Sequence, residues 1–245
     1  MTDKEKVSKS GFVAIIGPTN AGKSTLLNAV MGRKASIVSH KVQTTRTRIR
    51  AVKMAGDSQL IFVDTPGIFK PARRLDRAMA EASRQAMEEA DAILVLVDAT
   101  HGMTDTVRGI VEILPRKKRI FAAINKTDAV PKDTLLPIAG QLAETGLFEE
   151  IFMISALRNE ALAPMIKSIA NAMPVAPYLF DQFDALDVPD SLWLAEITRG
   201  QIYRFVHQEL PYHIHVSTDS METAPDGVIE IAQTVYVKTP GHKKI

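Results

Sequence analysis

The chain has no cysteine, a single tryptophan and few aromatic residues of any kind (6%). Without thiols there is no disulfide framework, no thiolate nucleophile and no cysteine-ligated metal, and a reducing compartment is compatible with the composition. Absent too is any apolar run near the ~20 residues that a membrane-spanning helix requires. The charged opening, Met1–Ser10, has none of the about 7–15 consecutive apolar residues of a secretory signal, so the expectation is a cytoplasmic protein. What is present suits a globular chain: 46% apolar and 24% charged residues over 245 positions, enough for one large domain or two unequal ones. The net charge of +2 is unevenly divided, with +7 on residues 1–173 and −5 on residues 174–245.

From Gly11 onward, short apolar runs alternate with helix-compatible stretches. This pattern predicts a doubly wound, mostly parallel sheet with helices on both faces. Strands are expected over 12–16, 49–54, 59–63, 92–97, 120–124 and 151–154, and helices over 23–30, 75–89, 104–114, 134–145 and 161–172. Ile93-Leu94-Val95-Leu96-Val97 is apolar at every position, as a parallel strand covered on both faces should be. Residues 174–190, with Pro174, Pro177 and Pro189, read as a linker between a domain of residues 1–173 and a small unit of residues 191–245. In that unit Ser191 is the expected N-cap of a helix running to Glu209, and Pro211 ends it. Two alternating stretches, 213–218 and 228–238, flank Pro225-Asp226-Gly227 and read as a β-hairpin. Helix plus two strands makes a marginal domain alone.

Directly after the first strand stands Gly17-Pro18-Thr19-Asn20-Ala21-Gly22-Lys23-Ser24-Thr25, which fits G-x-x-x-x-G-K-[ST] and leads into a helix. Glycines are needed where the backbone turns tightly enough to aim N–H groups at phosphate oxygens, and the helix N-terminus adds a favourable dipole. Lys23 supplies a point charge to β- and γ-phosphates, and the Ser24 hydroxyl suits magnesium. Asp64-Thr65-Pro66-Gly67 ends the strand Leu60–Val63; Asp64 suits the outer shell of the same ion, and the Gly67 N–H suits a γ-phosphate. Alone it would read as a surface turn; beside the phosphate loop it reads as a sensor.

Asn125-Lys126-Thr127-Asp128 follows another strand and fits N-K-x-D. The Asp128 carboxylate can accept from N1–H and the 2-amino group of guanine, whereas adenine offers neither donor and would leave a charge unpaired. Ser155-Ala156-Leu157 follows the last strand, where the Ala156 N–H would meet guanine O6. The threonine-rich Val42–Arg48 is the candidate first switch, with Thr45 favoured over Thr44 as a magnesium ligand; a threonine-rich edge strand is the competing reading. Together these motifs predict GTP/GDP and Mg2+ as ligands.

The motifs Gly17–Thr25, Gln43-Thr44-Thr45-Arg46, Asp64–Gly67, Asn125–Asp128, Ser155–Leu157 and Glu209-Leu210-Pro211-Tyr212 resemble those of the Era-type GTPases, and the resemblance covers nearly the whole chain. It implies a GTPase domain followed by a KH domain that binds the 3′ end of 16S rRNA in maturing 30S subunits, a monomer, and peripheral contact with the inner membrane. The chain departs from the pattern in three ways. No G-x-x-G loop, by which a KH domain clamps RNA, follows the hairpin, and the sequence stops at Gly241–Ile245 about where that loop would begin, which reads as a C-terminally truncated, partial KH-like domain. The acidic balance of residues 174–245 argues for weak or absent RNA binding by this part. Thr127 stands where valine is more usual.

The hydrolytic step needs stabilised charge and an oriented water. Ile68 follows Gly67 where many GTPases place a glutamine, so the catalytic set is read as Lys23, Thr45, Gly67 and Asn20, the last as the candidate ligand of a K+ ion. A turn residue is the competing reading of Asn20. Three alternatives stand beside this account: a P-loop kinase or ATPase, a sister-family tRNA-modification or ribosome GTPase, and a nucleotide-dependent scaffold with little turnover. Arg116–Arg119 reads as a solubilising loop, and His213 with His215 as a hairpin surface.

Overall fold

The computed structural model describes residues 8–32, 49–65, 74–181, 185–186, 190–205 and 214–237. Among the described residues the larger sheet has seven strands. These are β1 (Lys9–Ile16), β2 (Ile49–Ala55), β3 (Ser58–Asp64), β4 (Ala92–Asp98), β5 (Arg119–Asn125), β6 (Glu150–Met153) and the short β7 (Ala185–Leu186). They lie in the order β6-β5-β4-β1-β3-β2-β7. β1, β3, β4, β5 and β6 run parallel, while β2 pairs antiparallel with both β3 and β7.

Alternation along the strands divides the core into two layers. Val13, Ile15, Leu94, Leu96 and Phe121 face α1 (Lys23–Met31) and α5 (Leu162–Ala172). Ala14, Ile16, Ile93, Val95, Val97 and Ile124 face the other set: α2 (Arg74–Glu89), α3 (Asp105–Glu112) and α4 (Leu135–Glu144). Every residue of β4 is buried, which is why its sequence shows no polar alternation. Thr104 precedes α3 as its N-cap, its hydroxyl accepting from the Val107 N–H at 3.3 Å.

Two expectations change. Lys118 does more than solubilise a loop: its Nζ donates to the carbonyls of Glu88 (2.9 Å) and Ala90 (2.6 Å), so a cation caps the carboxyl end of α2. The proline-rich stretch is also more than a tether. Lys9 and Val175 form an antiparallel bridge, β7 adds an edge strand to β2, and Gln59, fully buried on β3, holds the chain between them. Its Oε1 accepts from the N–H groups of Leu179 (2.9 Å) and Phe180 (3.1 Å), and its Nε2 donates to the Phe180 carbonyl (2.9 Å). An apolar-strand reading of 59–63 hid this because a single glutamine among apolar residues carries no periodic signal.

The smaller unit comprises α6 (Asp190–Phe205) and the antiparallel pair β8 (His215–Thr223) and β9 (Ile229–Tyr236). Asp190 already belongs to the helix, so Ser191 lies within it rather than capping it, and its carbonyl accepts from the Thr218 hydroxyl at 2.7 Å. The expected end at Glu209 and the stop at Pro211 lie outside the described residues. The hairpin turns where expected, with Gly227 at φ 84°, but its arms extend through Thr223 because a bulge at Thr218/Ser220 lets pairing continue. Ala195, Ile214 and Val216 form its small core. His215 stacks obliquely near Tyr236, ring centroids 5.8 Å apart, and no group of three metal-ligating side chains occurs among the described residues.

Replacing Gln59 by leucine keeps the volume and orphans three backbone groups of the 179–180 segment. The expected loss is about 2–4 kcal/mol of stability by urea denaturation; a loss below about 0.5 kcal/mol would show that the clamp contributes little.

Candidate nucleotide site

The carboxyl ends of β1, β3, β4 and β5 open on one edge of the sheet, the edge where doubly wound folds bind ligands. Residues 17–22 turn out of β1 there. Gly17 is buried, and a Cβ on it would lie 2.7 Å from the Leu96 carbonyl oxygen. Gly22, at φ 96°, is the N-cap of α1, and a Cβ there would lie 2.3 Å from Asn125 Nδ2. Gly22 is therefore required twice, by conformation and by space. No acidic residue occupies the first turn of α1 and no side chain caps it, so the positive end of the helix is left for an anion.

Lys23 is buried, and its Nζ donates to the carbonyls of Gly17 (3.0 Å) and Pro18 (2.8 Å). The ammonium is thereby fixed across the turn. Ser24 and Thr25 follow, half-buried, in the first turn of the helix; Pro18 and Thr19 are half-buried in the loop, and Asn20, exposed, adopts the left-handed conformation at φ 64°. Ala21 is fully buried, so its side chain belongs to the core while its carbonyl belongs to the site.

Asn125, 2% exposed at the end of β5, ties this loop to the next. Its Nδ2 donates to the Ala21 carbonyl at 2.9 Å, and its Oδ1 accepts from the Ala156 N–H at 3.0 Å. The Ala156 N–H, expected to face a guanine O6, is thus engaged by Asn125 in this structure because a buried amide oxygen needs a donor. Ser155, fully buried, donates from Oγ to Asp128 Oδ1 at 2.5 Å, and Arg158 Nε lies 3.8 Å from Asp128 Oδ2. The Asp128 carboxylate is oriented by these neighbours. The Thr127 N–H donates to the Ile154 carbonyl at 3.2 Å, joining β5's loop to β6's. Leu157 projects its side chain into solvent, 75% exposed beside this cluster.

Two partners escaped the sequence reading. Asp98 ends β4, and its Oδ2 accepts from Lys126 Nζ at 2.6 Å, while its Oδ1 accepts from the N–H (2.9 Å) and hydroxyl (2.6 Å) of Thr100. Burial alone would raise the Asp98 carboxyl, but the hydrogen bonds from Lys126 and Thr100 outweigh it and hold the group below the ordinary carboxylate range. A group lowered in this way adds stability above its ordinary range and loses it as pH falls through the lowered value. Arg158 is the second. The available signal for Asp98 was a lone carboxylate closing an otherwise apolar strand, level with Asn125 in the β4–β5 register.

Thr65 is fully buried and its hydroxyl donates to the Ile15 carbonyl at 2.7 Å, so its side chain braces β3 against β1. Asp64 ends β3 at the same edge. Pro66, Gly67 and Ile68, and Thr44 and Thr45, lie outside the described residues, as do Arg46 and Arg48.

One buried asparagine thus ties the loop that fits G-x-x-x-x-G-K-[ST] to the loops after β5 and β6, and the fold with these motifs defines the class, a P-loop GTPase. Residues 12–126 match the family of 50S ribosome-binding GTPases. The chain is 46% identical over 249 residues to GTPase Era of Dinoroseobacter shibae, covering 100% of this chain and 81% of that protein. Against GTPase Era of Mesorhizobium japonicum the identity is 43% over 250 residues, with the same shares covered. A crystal structure of Era in complex with MgGDPNP and nucleotides 1506–1542 of 16S ribosomal RNA matches with a TM-score of 0.88 at 35% identity, over 96% of this chain and 81% of that one. An Aquifex aeolicus Era variant bound to GDP.AlF4- matches to the same degree, TM-score 0.88. The chain belongs to the Era family of GTPases.

Truncating Asn125 to alanine leaves the Ala21 carbonyl and the Ala156 N–H unpaired. The expected cost is about 1–3 kcal/mol of stability and at least a ~30-fold loss of GDP affinity, measured by urea denaturation and calorimetry. Unaltered GDP binding would contradict the bridging role.

Proposed function

We propose that this chain is a magnesium-dependent GTP switch whose cycle serves assembly of the small ribosomal subunit, at the 3′ end of 16S rRNA. The observation that carries the nucleotide reading is the Asn125 bridge between Ala21 and Ala156, because it sets a phosphate loop and a carboxylate base reader in one rigid frame. In this reading the amides of residues 17–25 and the Lys23 ammonium hold the phosphates. Asp128, oriented by Ser155, accepts from the guanine N1–H and 2-amino groups. Leu157 and the Lys126 stem cover the base.

The donor set fits magnesium: a half-buried Ser24 hydroxyl in the first turn of α1, with the end of β3 carrying Asp64 on the same edge. Thr45 is its further candidate ligand. When bound, the ion would neutralise developing charge on the β- and γ-phosphates. Gly67 would sense the γ-phosphate through its N–H, and loss of that contact after hydrolysis would release the switch segment. Ile68 has no group to orient water. Asn20 is therefore proposed to hold a potassium ion, a role compatible with its exposed, left-handed position in the loop.

The rRNA reading draws its support from the Era structure with 16S nucleotides. Residues 1–173 would form the GTPase domain, 174–190 the linker, and 191–245 a KH-like unit of helix, strand and strand. The net charge of −5 on residues 174–245 makes RNA affinity from that part weak, since phosphate neutralisation supplies most of such affinity. A monomer with peripheral membrane contact completes the reading.

Calorimetry with GDP, XDP and ADP tests the base assignment. Wild type is expected to prefer GDP, and Asp128→Asn to lose GDP affinity by about 100-fold or more while gaining XDP; tighter binding of ADP by wild type would return the kinase or ATPase reading. For the potassium role, GTP turnover is expected to be faster in K+ than in Na+, and Asn20→Ala to fall to the sodium rate in both. Equal rates in all four conditions discard it.

A further inference from the structure

We propose that Asp98 is a positioning residue for guanine recognition, acting through Lys126; the inference rests on the nucleotide reading above. Asp98 closes a strand whose every residue is buried, and its carboxylate is fixed before any ligand arrives. The Thr100 N–H and hydroxyl, 2.9 and 2.6 Å from Oδ1, set its plane. The turn they belong to is itself held by the N–H groups of His101 (3.1 Å) and Gly102 (2.9 Å) on the Asp98 carbonyl. Oδ2 then faces β5 and takes the Lys126 ammonium at 2.6 Å.

Lys126 lies between the structural asparagine and the base-reading aspartate, in the left-handed conformation at φ 65°. Its head is anchored on β4 while its stem crosses the strand ends, the side chain 35% exposed. A free lysine stem would lose rotamer freedom on covering a purine; one already tethered at its head loses less. The Asp98 pair therefore preorganises the wall of the base cleft. His101 Nδ1 lies 3.4 Å from the same Oδ2.

A double-mutant cycle of Asp98→Asn and Lys126→Met, titrated with a fluorescent GDP analogue, decides the matter. Asp98→Asn is expected to weaken GDP binding about tenfold, with kcat at saturating GTP within about twofold of wild type and the preference for GDP over IDP retained. In the Lys126→Met background the same change is expected to have no further effect beyond about twofold, and Asp98→Glu to recover part of the affinity. An equal loss in both backgrounds, or no loss in either, overturns the proposal. Should Asp98→Asn not fold, Thr100→Val replaces it: a loss of about threefold that vanishes with Lys126→Met supports the role, and a loss equal in both backgrounds overturns it. Failure of the wild-type chain to bind guanine nucleotides at all would instead remove the underlying function.

Discussion

The side-chain amide of Asn125 is the contact on which the cleft depends. Its two ends serve loops that follow β1 and β6, while its own backbone belongs to β5, so three strand ends are locked by one buried group. An amide is the small side chain that can donate at one end and accept at the other; aspartate would set a carboxylate against the Ala21 carbonyl, and leucine would leave both partners unpaired. The constraint reaches back into the phosphate loop, where the position of Nδ2 forbids any Cβ on residue 22. Glycine at that position is thus a condition set by a residue over a hundred positions away, as well as by the left-handed turn.

The sheet places the polar groups where they can act. Its central strands are apolar on both faces because helices cover both, so polar side chains gather at the strand ends. Asp64, Asp98 and Asn125 end β3, β4 and β5 in turn, on the edge where the chain order reverses about β1. Each end group has a different task. Asn125 is a strut and Asp98 an anchor for Lys126, with Asp64 closing the strand that leads to the proposed sensor segment.

Much of this was legible in the sequence because the motifs and the strand pattern reinforce one another. A glycine-rich turn means little alone, but one that follows an apolar strand and opens a helix restricts the fold to a few choices, and N-K-x-D after a later strand restricts the base. What escaped detection lacks a local signal. Gln59 and Lys118 reach partners far along the chain, on residues 179–180 and at the end of α2, and no spacing rule connects them. Asp98 was visible only as a charge ending an apolar run, a common feature whose meaning depends on the register that sets it beside Asn125. The helix starts at Asp190, two residues before the start that an N-cap at Ser191 implies, since Asp and Ser suit the first turn of a helix as well as its cap.

The position of the connecting segment bears on how a nucleotide signal leaves the cleft. β2 is entered from the threonine-rich segment and β3 leads into the Asp64–Gly67 segment, so both proposed switches are covalent extensions of one antiparallel hairpin. The same hairpin carries the connector: Gln59 on β3 grips residues 179–180, and β7 pairs with β2 at Ala51 and Val52. A connector hydrogen-bonded to these strands at residues 179–180 and 185–186 cannot move independently of them there without breaking those bonds. At residues 179–180 and 185–186 the chain leading to α6 is therefore tied to the hairpin whose strands adjoin the proposed switch segments. Among the described residues, the flank holding β2 and β3 carries both the strands next to the proposed switch segments and the hydrogen bonds to residues 179–180 and 185–186 of the connector.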